Sequence, residues 1–214
     1  MVKLSAGTVA TLTALVLGLL VSSAKSTFDT MNNGIVQGSA KMIILDHALA
    51  RYGPEAKPAR EQLKRTVAAG IEMVWPKEKT GVSGLTAFER ANGMELLQDK
   101  LSELTPQNDV QRQTLARAQQ LVDDLNQTRW LLIEQEQNQL PFPLLAILVF
   151  WLALLFVSFG LFAPSNITAL VVLFLGACAV SAAIFLVLEL NQPLEGFIKV
   201  SNAPLLNALG HLNR

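Results

Sequence analysis

Two patterns of apolar residues alternate along this chain. The first is the long uninterrupted run. Leu4 to Ala24 contains no charged residue, and none lies between Glu136 and Glu189. A bilayer core takes about 20 helical residues, so three spans are predicted, over 4–24, 141–162 and 167–188. Pro141 and Pro143 open the second span, where a missing backbone N–H costs little. The last two spans are separated only by Ala163, Pro164, Ser165 and Asn166, with Asn166 as N-cap of the third. So short a link predicts an antiparallel hairpin. A cleavable leader is the rival reading of the first run, with Lys3 as its basic start and Ser22-Ser23-Ala24 as a cleavage site.

The second pattern has helical spacing. Phe28, Met31, Ile35, Gly38, Met42, Leu45, Leu49 and Tyr52 repeat at intervals of three and four, a coiled-coil type of seam. Gly53-Pro54 ends that helix. A second helix follows from Glu55 to Trp75, with Ala59, Leu63, Val67, Ile71 and Val74 on one face and a stop at Pro76. A loop over Lys77 to Gly84 leads to a third helix from Thr86 to Leu104. Thr105-Pro106 reads as N-cap and first helical residue of a fourth. That helix runs toward Gln139, with Leu115, Ala118, Val122, Leu125 and Leu132 in heptad register and Arg129 interrupting them. No strand-like alternation occurs. The predicted fold is all-α: one N-terminal transmembrane helix and a C-terminal transmembrane hairpin, with a water-exposed helical bundle over 25–140 between them and an interfacial tail over 189–214.

Small residues recur every fourth position in the first span, at Ala6, Ala10, Ala14, Gly18 and Ser22. Gly176, Ala179 and Ala183 do the same in the third. Such stripes allow helices to approach closely in lipid, so these eight residues form the predicted helix-packing faces. Trp130, short of the second span, suits the membrane interface; mid-span Trp151 is a packing residue.

Charge narrows the function. The 214 residues balance 17 Lys+Arg against 17 Asp+Glu, and the inserted segment 25–140 carries 14 and 15. With no basic patch, nucleic acid is not a predicted partner. No ionisable side chain lies inside the spans, which disfavours a proton-coupled transporter. The single cysteine, Cys178, cannot form an intrachain disulfide and reads as a small packing residue. The two histidines, His47 and His211, have no acidic or cysteine cluster at ligand spacing, so no metal or other cofactor is expected. Asp46-His47 could orient an imidazole, but adjacent helical residues diverge by about 100°, and both read as surface residues. No nucleotide-binding or hydrolase motif occurs. The chain is therefore not expected to be an enzyme.

Two stretches carry a family likeness. The first, Gly18 to Pro76, includes YGP at 52–54 and WP at 75–76. The second, Leu188 to Leu205, reads LELNQPLEGFIKVSNAPL. With the hairpin between them, the chain resembles the bacterial bestrophin-like family of integral membrane proteins. The resemblance marks Pro193, Gly196, Val200, Ser201 and Pro204 as a family tail motif. It implies remote kinship to chloride-channel bestrophins, and hence a homo-oligomeric anion channel. Two departures stand out. Family members usually carry a further span and a basic loop ahead of the segment resembling Val2-Lys3-Leu4, so this chain begins inside the family pattern. Asn191 and Gln192 replace an Asp-Arg pair that usually precedes the tail proline.

A second functional reading is a non-conducting, membrane-anchored helical-bundle sensor or scaffold that works through a protein partner. Lys3 and the positive-inside rule predict a cytoplasmic N-terminus in a bacterial inner membrane, with the bundle and tail outside the cytoplasm.

Overall fold

The computed structural model describes residues 2–76, 78, 80–137, 142–162, 166–194 and 196–212. The elements are α1 (Val2–Tyr52), a 3-10 turn (Pro54–Ala56), α2 (Lys57–Val74), α3 (Ala87–Ser102), α4 (Asp109–Gln137), α5 (Phe142–Phe162), α6 (Ile167–Leu190) and α7 (Ala203–His211). No strand occurs among the described residues. The fold is all-α, with three helices long and apolar enough to cross a membrane. It divides into two compact units: Met1–Thr30 with Gln135–Lys199, and Met31–Glu134 with Val200–Arg214.

The second unit is a helical bundle built on the predicted seam. Met31, Ile35, Leu45, Leu49 and Tyr52 of α1 are buried. Ala59, Leu63, Val67 and Ile71 of α2 join them, with Leu97 and Leu101 of α3 and Leu115, Ala118, Val122 and Leu125 of α4. Burying one such leucine contributes about 2 kcal/mol. Gly34 has a packing reason: a Cβ there would stand 2.7 Å from Leu132 Cδ2. The end at Tyr52 falls where predicted, with Gly53 at φ +130, a conformation that favours glycine. The tail returns to this core, since α7 adds Leu209 and the adjoining residue Leu212.

Several boundaries differ from the sequence reading. Trp75 is no longer helical and Val74 is exposed, because Pro76 disfavours helical backbone in the residue before it. The cap of α4 is not Thr105. Asn108 Oδ1 accepts from Gln111 N at 2.8 Å, and the helix starts at Asp109. Gln111 Oε1 in turn accepts from Gln107 N. An Asn acceptor three residues ahead of a free N–H satisfies an orphan donor directly, which displaces the start by three residues. Helix α3 begins with a reciprocal capping box that the sequence reading missed: Thr86 Oγ1 accepts from Glu89 N, and Glu89 Oε2 accepts from Thr86 N.

Two forked ion pairs tie helices together, and a longer one, Lys41 Nζ to Asp124 Oδ2 at 3.4 Å, links α1 to α4. Asp46 of α1 is almost wholly buried, and its carboxylate accepts from Arg60 Nε and Nη2 of α2, both at 2.8 Å. That hydrogen bond raises the Arg60 guanidinium above its ordinary value. Arg65 of α2 forms a second fork on Glu89 of α3 (2.6 and 2.9 Å) and also donates to Gly84 O. Arg65, then the Thr86 backbone N–H, hold the Glu89 carboxyl down at about 2.

The first unit is the membrane part. Leu20 and Ala24 of α1 pack with Leu148 and Leu152 of α5 and Val187 and Leu190 of α6. Outward, the helices expose large apolar side chains such as Phe150, Val157, Val172 and Phe174. A soluble domain would leave few such contiguous patches, and here the surface is matched to lipid. Polar atoms are satisfied locally: Thr13 Oγ1 and Ser158 Oγ donate back to Val9 O and Leu154 O, each at 2.8 Å. The predicted Asn166 cap of α6 forms, its Oδ1 accepting from Ala169 N at 2.8 Å. Pro141 and the turn residues 163–165 lie outside the described residues. Cys178 is exposed, not the packing residue expected.

Two outcomes follow. Arg60→Ala removes a bidentate partner from a buried carboxylate and is expected to destabilise the bundle by about 3–5 kcal/mol, read by thermal unfolding in detergent. The Glu89 contribution is fully present above the ordinary carboxylate value of 4.5 and fades as pH falls through about 2. Glu89→Gln should therefore lower the melting temperature at neutral pH, with the difference from the parent shrinking toward pH 2.

Candidate functional site

Helix α1 has two working sides within its apolar stretch. The buried side holds Thr13, Leu20 and Ala24, with Val16, Leu17 and Val21 half-buried. At 3.6 residues per turn, Ala14, Gly18 and Ser22 of the predicted stripe lie, together with Gly7 and Thr11, about 140° round the helix from that side. Ala14, Gly18 and Ser22 are exposed, and Ala10 is half-buried at the stripe's edge. The side chain of Ala6 lies outside the described residues. Among the described residues, nothing stands within 4 Å of where a Cβ would sit on Gly7 or Gly18. Ala14, Gly18 and Ser22, with Gly7 and Thr11, thus form a side of α1 that turns away from the contacts the chain makes with itself. Thr11 belongs to it and went unnoticed in the sequence, since its hydroxyl folds back onto Gly7 O at 3.0 Å and leaves a nearly smooth surface. One turn beyond Ser22, Lys25 pairs with Asp29 at 2.8 Å on the same side.

The stripe on α6 behaves differently. Gly176 faces α5, where a Cβ would meet the Phe156 ring at 3.7 Å. Ala183 is half-buried and Ala179 is exposed. Gly176 therefore contributes to packing inside the chain.

The tail motif forms a closed turn at the end of α6. Glu189 Oε2 accepts from Phe197 N at 2.7 Å and from Ile198 N at 3.3 Å. Gly196 has φ +85, and a Cβ on it would collide with the Glu189 carboxylate. Both facts require glycine at this position. Pro193 and Val200 are buried. Ser201 Oγ accepts from Ala203 N at 3.2 Å, at the start of α7. Pro204 occupies the first turn of that helix, where proline lacks only a donor that has no helical partner. The five motif residues thus shape the route from α6 to α7. Glu189 completes the turn through a partner eight residues away, a pairing with no periodic signal.

Reactive groups do not converge. Asp46 is engaged by Arg60, and His47 is exposed. Among the described residues no group of three or more His, Cys, Asp or Glu could hold a metal ion. An open depression of about 370 Å³ in the bundle is lined by Glu55, Pro58, Lys100, Glu103 and Gln111, among others. Several of its polar groups are already used: Lys100 pairs with Glu103, and Gln111 bridges Tyr52 O and Gln107 N.

Comparison with known proteins agrees with this architecture. A family model of the Bestrophin-like domain matches residues 1–205. Among solved structures, a variant of a bacterial bestrophin homologue from Klebsiella pneumoniae is similar at TM-score 0.76 and 16% identity. The match covers 97% of this chain and 85% of that one. Another structure of a Klebsiella pneumoniae bestrophin homologue gives TM-score 0.74 at 16% identity, over 97% and 84% of the two chains. A structure described only as a membrane protein gives 0.74 at 16% identity, over 96% and 83%. The curated proteins give no match.

The tail turn makes one prediction. Gly196→Ala puts a methyl group on the Glu189 carboxylate and a side chain at positive φ, which alone costs about 1–2 kcal/mol. Faster limited proteolysis between α6 and α7, with the bundle intact, is the expected result.

Proposed function

The chain belongs to the bestrophin-like family, and from that premise we propose that this integral membrane protein is a homo-oligomeric, anion-conducting channel and not an enzyme. The observation that carries the reading is the outward stripe of α1. A helix face built of Gly, Ala, Thr and Ser suits close helix–helix contact in lipid. Since Gly7 and Gly18 meet no described side chain of their own chain, the natural occupant is another copy.

Copies brought together on this face surround an axis with α1. The wall offered to an ion carries hydroxyls and small apolar groups, with no ionisable side chain from Leu4 to Ala24. Lys25 is the first charge met beyond it. Anion pores use Lys or Arg at such positions, and apolar constrictions can gate by dewetting. In the same reading Lys3 keeps the N-terminus in the cytoplasm of a bacterial cell. The bundle and α7 then lie outside the inner membrane.

The test is the protein-only mass of the detergent-solubilised complex by native mass spectrometry, followed by chloride flux from vesicles. A ring of four or more copies that conducts chloride is expected. Gly18→Leu should shift the mass to smaller species and abolish flux. A monomer or dimer would remove the shared axis and favour the scaffold reading, in which the bundle acts through a different protein.

A further inference from the structure

The turn at the end of α6 carries an exposed aromatic residue held in an unusual place. Phe197 is 88% exposed, and Ile198 beside it is 38% exposed. Neither is loose. Their backbone N–H groups are both taken by the Glu189 carboxylate. The Phe197 ring lies 6.4 Å from that of Phe185, tilted by 52°, within the range of favourable aromatic pairs. Phe185 and Glu189 are one turn apart on α6 and share a side. That side is opposite the one that buries Val187 and Leu190 against α1 and α5. The turn therefore folds the chain back along the outer surface of a membrane span, beside its last turn.

We propose that this turn is a membrane-interface anchor, in which Glu189 tethers Phe197 and Ile198 so that they sit in the acyl-chain edge of the bilayer. Phe185 lies inside the apolar span Ile167–Leu190. A ring paired with it is at the same depth, just inside the boundary where aromatic side chains concentrate. Lys199, exposed and next in sequence, reaches headgroup level on its long stem. The local composition selects lipid over a second copy. The exposed residues of the last turns of α6 include Phe185, Leu186 and Leu188, bulky groups that keep helices apart, whereas close contact in lipid takes small ones. The carboxylate has a second consequence. A turn entering the bilayer edge must have its N–H groups satisfied without water, and Glu189 supplies two acceptor contacts from within the chain. The anchor is independent of whether the protein conducts.

A nitroxide attached at position 197 through Phe197→Cys, in a Cys178→Ser background, tests this in phosphatidylcholine vesicles with the full chain. The expected result is that the label collides more often with dissolved oxygen, which partitions into lipid, than with a water-soluble nickel chelate. Glu189→Ala should reverse that ratio. Should that variant not fold, Gly196→Ala displaces the same carboxylate by a methyl group and should reverse it equally. A label on the parent chain that favours the nickel chelate would place the turn in water and overturn the proposal. Shielding from both reagents would mean that a second copy covers it and would overturn it too. An oxygen-rich label that does not respond to loss of the carboxylate contact would overturn the tether.

Discussion

Backbone polar groups cannot be left unpaired in hydrocarbon, and they need not be in a helix that never stops. Much of this fold depends on α1 obeying that constraint for 51 residues. No proline lies between Met1 and Tyr52, so the hydrogen-bond ladder is never interrupted. The stretch beyond the apolar run could have ended the helix, being rich in Ser and Thr. Instead Thr27 and Thr30 donate back to Ser23 O and Ser26 O, which spends the hydroxyls on the existing ladder. The same helix thus enters the lipid-exposed unit with one set of side chains and the bundle with another. Its heptad seam begins at Phe28, within four residues of the last buried alanine of the apolar run.

That continuity explains how much could be read from sequence. A period of 3.5 and a charge-free run are both helical signals, so the three apolar helices and the α1 seam were legible without coordinates. All seam positions from Met31 to Tyr52 are buried or half-buried. Helix starts were less legible because several capping residues compete. Thr105, Asn108 and Asp109 all qualify by type, and the bond from Gln111 N to Asn108 Oδ1, backed by that from Gln107 N to Gln111 Oε1, decides among them. The Asp46–Arg60 and Arg65–Glu89 forks were not legible as pairs. Their partners are 14 and 24 residues apart, and charged residues on a helix are usually solvated. Position 46 could have been suspected, since it adjoins the seam leucine at 45 and precedes the one at 49.

Helix α7 bears on topology by a simple parity argument. Two apolar helices, α5 and α6, separate the bundle from the tail. Two crossings return a chain to the side it left. Leu209 and Leu212 lie in the same hydrophobic cluster as α1 to α4, which is possible only if tail and bundle share a side. A chain with one or three crossings in that interval could not make this core. The packing of a nine-residue helix therefore agrees with reading α5 and α6 as a pair of spans.

The distribution of side-chain size is the remaining constraint on how such a chain assembles. In water, burial of apolar surface would drive any two apolar faces together. In lipid that drive is absent, and close van der Waals packing selects the partner. The chain contains both kinds of outward surface. Small residues form one stripe of α1, flanked by the exposed Leu12, Leu15 and Leu19, whereas the last turns of α6 and much of α5 present Phe, Leu and Val throughout. Gly176 does not alter the division, because it is already occupied by Phe156 within the chain. On the proposed reading, the surface of α1 is the one that gains most from a protein neighbour, and the bulky surfaces lose least by remaining in lipid. The same separation explains why the functional groups are so plain. A helix side made of small residues carries hydroxyls that fold onto its own carbonyls, as Thr11 does, and no long ionised side chain until the apolar run is over. The first such groups, Lys25 and Asp29, appear together as an exposed pair one turn apart. Charge on this face therefore acts at the end of the apolar run, and steric fit acts along its length.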